Sequence, residues 1–118
     1  MFEKFTERAR KTMTIAKQEA SRLGSEFIGT EHILLGIINE GGGVAVKVLN
    51  HFGLDNRSIM AELEKYIVQN QILELSVGQL PLSPRAKHVI EMSGEISVEM
   101  GNDTIGTEHL LLALLKEG

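Results

Sequence analysis

Apolar residues recur at helical spacing through most of the chain. Between Thr6 and Leu23, the residues Ala9, Met13, Ala16, Ala20 and Leu23 advance by alternating steps of four and three, which aligns them on one helix face. Thr6 suits the N-cap, and Gly24 suits the position just past the C-terminus. A comparable helix is predicted over Ser83–Met100, opened by a capping hydroxyl and by Pro84 at the first helical position, and closed by Gly101. Gly94 within it costs roughly 1 kcal/mol relative to alanine. Another helix is predicted from Thr30 to about Glu40, with Ile33, Leu34, Ile37 and Ile38 apolar, and its counterpart starts at Thr107. A short helix over about Val44–Phe52 is expected to bury Val44, Val48, Leu49 and Phe52. One capped at Asp55 or Asn56 carries Ile59, Leu63, Tyr66 and Ile67. Residues 69–81 read as a linker holding Gly78 and Pro81, although Ile72, Leu73, Leu75 and Val77 are apolar enough to pack. No stretch calls for a sheet, so the expected class is all-α.

The pattern is duplicated. Shifted by 77 positions, Phe5–Gly41 lies over Leu82–Gly118 without a gap, and 12 of the 37 pairs are identical. Average composition would give about two or three by chance. The identities include Arg8/Arg85, Gly24/Gly101, Glu40/Glu117 and the whole run Ile28-Gly29-Thr30-Glu31-His32 over Ile105-Gly106-Thr107-Glu108-His109. One domain is expected over 1–118, with repeat one at about 5–68, the linker at about 69–81 and a partial repeat two at about 82–118. Repeat one continues past Gly41 with two further helices, so repeat two is expected to be truncated. Leu110, Leu111, Leu114 and Leu115 are then expected to keep some apolar surface.

Composition narrows the function. At 118 residues and 42% hydrophobic, the chain can build a single core. A net charge of -4 disfavours a nucleic-acid module, which needs a cationic face. With no cysteine, neither disulfides nor thiolate-held metals are available. No apolar run approaches the ~20 residues that span a bilayer, and the charged start Met1-Phe2-Glu3-Lys4-Phe5 is not a signal peptide. The default location is the cytoplasm.

Enzyme chemistry finds little support. Gly41-Gly42-Gly43-Val44-Ala45-Val46-Lys47 is not a phosphate loop, because Val46 and Val48 stand where glycine and a hydroxyl are required. Glu31-His32 and Glu108-His109 are neighbours in sequence and so do not share a helix face, and H-E-x-x-H is absent. The repeated Gly-Thr-Glu-His has a structural explanation: glycine turns the chain, threonine caps, and glutamate complements the helix dipole. That explains the residue types better than it explains the recurrence of Glu and His together, so structural and functional readings stand level on pattern alone.

The runs Phe5-Thr6-Glu7-Arg8-Ala9-Arg10-Lys11, Ile28-Gly29-Thr30-Glu31-His32-Ile33-Leu34-Leu35-Gly36-Ile37 and Ser83-Pro84-Arg85-Ala86-Lys87 resemble the Clp repeat N-terminal domain, most closely that of ClpC-type AAA+ unfoldases. The resemblance implies two four-helix repeats related by a pseudo-two-fold axis. It also implies a docking module for protein substrates and adaptor proteins that does no chemistry and holds no cofactor. A full-length protein of this kind would carry ATPase modules using ATP and Mg and would feed a ClpP-type peptidase. Domains of the ClpC type bind phosphorylated arginine. By motif position, one such site falls on Thr6 and Glu31 and the other on Ser83 and Glu108, where Ser83 replaces the more usual threonine. A helix start with a hydroxyl suits the phosphate, a carboxylate suits the guanidinium side, and Arg8 and Arg85 are placed to strengthen the phosphate end. No nucleic acid and no membrane are implied. The alternative is a stand-alone Clp-repeat scaffold that binds partners without an ATPase.

Overall fold

In the computed structural model, the two longest helices among the described residues begin where a hydroxyl accepts an orphan N–H. Thr6 Oγ accepts from Ala9 N at 3.1 Å and opens α1 (Glu7–Arg22). Ser83 Oγ accepts from Ala86 N at 3.1 Å and opens α5 (Pro84–Glu99). Gly24 and Gly101 follow these helices at φ 72° and 74°, the left-handed region that glycine enters without penalty. Between them lie α2 (Thr30–Glu40), α3 (Val44–His51) and α4 (Asn56–Gln69), and α6 (Thr107–Glu117) follows α5. The structure describes residues 2–69 and 80–117, and within these the class is all-α. Most of the expected linker lies outside the described residues.

The duplication is visible in the packing. α1 lies along α2, and α5 lies along α6 in the same way. α3 seats on α6, and α4 on α2. One core joins the repeats, running from Phe5, Ala9, Met13 and Ile33 of the first to Val89, Ile96, Leu110 and Ala113 of the second. Two isolated parallel bridges tie them further, Phe5 to Ile105 and Leu82 to Ile28. These bridges are equivalent under the 77-residue shift, as a pseudo-two-fold requires.

Several expectations change. Thr30 is the first helical residue and not the cap. Gly29 holds the N-cap position, and its N–H donates to His32 Nδ1 at 2.9 Å. Gly106 and His109 repeat this at 2.8 Å. In α3 the buried residues are Ala45 and Val46, while Val44, Val48 and Phe52 are exposed and Leu49 is half-buried. The helix docks through its small side chains, because only that side meets α6. In α4, Ile67 is buried and Tyr66 exposed. Leu110 and Leu111 are buried against the common core, contrary to expectation, whereas Leu114 is half-buried and Leu115 is 69% exposed.

Candidate functional site

The bridges decide which helix starts meet. Thr6 N donates to Ile105 O at 2.9 Å and Ile105 N donates to Lys4 O at 2.7 Å, so the start of α1 lies beside the turn that opens α6. Ser83 N donates to Ile28 O at 2.9 Å and Ile28 N donates to Pro81 O at 2.8 Å, so the start of α5 lies beside the turn that opens α2. Each start therefore faces the Gly-Thr-Glu of the opposite repeat. A cleft of about 580 Å³ is lined by Thr6, Arg8, Lys11 and Glu40 together with Gly106, Thr107 and Glu108. A second, of about 420 Å³, is lined by Ser83 and Arg85 together with Gly29, Thr30 and Glu31.

This corrects the pairing read from the sequence. Thr6 shares a cleft with Glu108 and not with Glu31, and Ser83 shares one with Glu31 and not with Glu108. A fixed shift between repeats identifies equivalent residues but carries no information about which copies touch.

The local chemistry is nearly the same in both clefts. Thr6 and Ser83 accept through oxygen from the third residue of their helices, which leaves each O–H able to donate outward. The first N–H groups of α1 and α5 have no intrahelical acceptor, and the helix dipoles point their positive ends the same way. Proline at position 84 removes one of these donors from α5. The Glu31 and Glu108 carboxylates fold back over Gly29 and Gly106, where a Cβ would collide with them. Glycine at these turns is thus needed for the carboxylate to occupy that position. Glu31 also accepts from Thr30 Oγ at 3.4 Å. Thr107 differs from Thr30 in being buried and in accepting from Ala45 N at 3.4 Å.

His32 and His109 support these turns. Each accepts the cap N–H through Nδ1, so each carries its hydrogen on Nε2, which faces Ser25 Oγ at 3.1 Å in one repeat and Asn102 Oδ1 at 2.9 Å in the other. Burial pushes the His32 imidazole below its ordinary range, against the opposing pull of Glu31 and Glu19. The histidines are used locally as caps, and no group of three or more His, Asp or Glu side chains among the described residues is placed to hold a metal.

Arg8 and Arg85 line the clefts but are already paired. Arg8 Nη1 lies 3.2 Å from both oxygens of Glu40, and Arg85 Nε lies 3.1 Å from Glu117. Glu117 also meets His88 Nδ1 at 2.6 Å, and His88 and Arg85 together hold its carboxyl below the usual range. The sequence reading missed the partners Glu40 and Glu117, although their identity across the repeat was the available signal. It also missed Phe27 and Tyr66 at the rim of the second cleft, for which no pattern in the chain was a guide.

Comparison with known proteins fits this architecture. Residues 4–118 match the family model described as the Clp repeat (R) N-terminal domain. Chloroplastic chaperone protein ClpC of Pisum sativum is 48% identical over 118 residues, which is 100% of this chain and 13% of the relative. The chain thus spans a small part of the curated relatives it matches. Among solved structures, the N-terminal domain of ClpD from Arabidopsis thaliana is 28% identical with a TM-score of 0.70, covering 97% of this chain and 77% of that one. The N-terminal domain of the ClpV1 ATPase from E. coli shares the fold at 18% identity and a TM-score of 0.85, over 98% of this chain and 69% of that one. With its duplicated helix pairs, crossed bridges and whole-length match, this chain belongs to the Clp repeat N-terminal domain family.

Proposed function

We propose that this domain docks protein substrates and adaptors for a ClpC-like ATP-dependent unfoldase, and that it recognises phosphorylated arginine in its two crossed clefts. The observation that carries the reading is the same in each cleft: a hydroxyl-capped helix start stands against the glutamate of a Gly-Thr-Glu turn. The helix start suits the phosphoryl oxygens, and the carboxylate suits the N–H groups of the guanidinium portion. Two such clefts on one domain raise the local concentration of a client bearing more than one modified residue. Related chains are named as ATP-binding subunits of a Clp protease, which supports a role feeding clients to an ATPase that uses ATP and Mg and passes them to a ClpP-type peptidase. The setting implied is the cytoplasm, or the chloroplast as for the pea relative.

Calorimetric titration with free phosphoarginine tests this directly. The wild-type domain should bind two equivalents, Glu31→Ala or Glu108→Ala one, and the double variant none. The crossed pairing adds a sharper expectation. Glu31→Ala with Ser83→Ala disables one cleft and should leave one site, whereas Glu31→Ala with Thr6→Ala disables both. Wild-type and doubly substituted proteins that behave alike would overturn the reading.

A further inference from the structure

The two clefts share their floors but not their rims. Five lining positions are equivalent under the 77-residue shift: Thr6 with Ser83, Arg8 with Arg85, and the three residues of each Gly-Thr-Glu. Around the Ser83–Glu31 cleft the rim carries two exposed aromatic side chains, Phe27 at 47% and Tyr66 at 58% exposed, beside the carboxylate of Glu26. Around the Thr6–Glu108 cleft it is charged and aliphatic, with Lys11, Glu40 and Val44. The repeat-two counterpart of Phe27 is Thr104, which does not line that cleft. Phe27 is also held in place, because it precedes Ile28, whose backbone is bonded on both sides to Pro81 and Ser83. An anchored and exposed aromatic surface beside a polar cleft suits an apolar side chain of a bound ligand.

In an extended peptide the residues two positions from the one held in a cleft share its face and lie roughly 6.6 Å along the chain, so their side chains reach the rim. We propose that the Ser83–Glu31 cleft selects phosphoarginine with an aromatic or large aliphatic residue two positions away, which packs on Phe27 and Tyr66, while the Thr6–Glu108 cleft, with Thr104 in place of Phe27, shows this preference more weakly. The proposal rests on the phosphoarginine reading above and adds a sequence preference to one of its two sites. The domain would then sort modified arginines by their surroundings: those exposed from the apolar core of a misfolded client favour one cleft, and those in polar segments use either.

The test compares short peptides with phenylalanine or glycine two positions from phosphoarginine, together with the unphosphorylated phenylalanine peptide, by calorimetry. With Glu108→Ala protein, which retains the Ser83–Glu31 cleft, the phenylalanine peptide should bind about two- to tenfold more tightly than the glycine peptide, the size of one aromatic contact. Phe27→Thr, which installs the residue of the other repeat, should erase that difference. Glu31→Ala protein, which retains the other cleft, should separate the two phosphorylated peptides less. Equal affinities in the Glu108→Ala protein would overturn the preference and leave phosphoarginine binding intact, as would a preference that survives Phe27→Thr. An unphosphorylated phenylalanine peptide that binds as well as its phosphorylated form would also overturn it. If none of the phosphorylated peptides binds the wild-type domain, the underlying reading fails and takes this inference with it.

Discussion

His32 shows how one side chain serves both the turn and the cleft. An Nδ1 that accepts the Gly29 N–H cannot itself carry a proton, so the folded state needs the neutral ring. Burial disfavours the charged form, and the nearby Glu31 and Glu19 only partly offset it. A base whose folded value lies below its ordinary 6.5 leaves the folded chain binding fewer protons than the unfolded one. Its contribution is therefore complete above about pH 6.5 and is lost as the pH falls from there through the lowered folded value. Urea midpoints should drop between about pH 7.5 and pH 5. The drop should be shallower in His32→Gln, whose side-chain oxygen can accept the same N–H at any pH. Identical slopes for the two proteins would show that this ring does not titrate with folding. From the sequence, Gly-Thr-Glu-His stood out because it recurs. A local hydrogen bond at each histidine is what the sequence suggests, and the bond from the Gly29 N–H bears it out; the partner was not legible, because placing the cap at Thr30 moved every later residue one position along the helix.

At the scale of elements, α1 and α2 cross at close range. Gly36 sits against the main-chain carbonyl of Thr12, where a Cβ has no room. The equivalent positions in the second repeat are Ala113 and Val89, both buried, so the pair of residues differs and not only the glycine. Thr12 is buried with its hydroxyl unpartnered among the described residues, which fits a crossing tightened at some expense in polar satisfaction. Gly36→Ala should destabilise by about 2 kcal/mol or more, since backbone must shift. Gly94, also helical, has only the flexible tip of Ile105 at 3.6 Å. Gly94→Ala should stabilise by about 0.5–1 kcal/mol through helix propensity. Chemical denaturation of both variants checks the contrast, and two changes of the same sign would contradict it. Periodicity located all six helices among the described residues because each carries an apolar stripe. It misjudged α3 because a short helix with apolar residues on more than one side docks through whichever side meets a neighbour. Val44, Val48 and Phe52 lost that competition to Ala45 and Val46.

Across the whole molecule, the repeats share one core and two bridges, so they should unfold together. Leu110 is fully buried in repeat two, within the cluster that also holds Ala9, Met13 and Ile33 of repeat one. Leu110→Ala should cost about 2–5 kcal/mol. Amide exchange should then show α1 and α5 losing protection to the same extent. An α1 that stays protected while α5 opens would mean that the repeats are separate folding units. The same interlocking governs function, because it sets Thr6 beside Glu108 and Ser83 beside Glu31. The sequence by itself determined the helices, the duplication and the residue types at the clefts, since periodicity, capping chemistry and self-similarity are properties of chain order. Only the tertiary structure decided which copy completes which cleft and which apolar side chains stay in water, because those depend on the axis relating the repeats, and an axis leaves no trace in spacing.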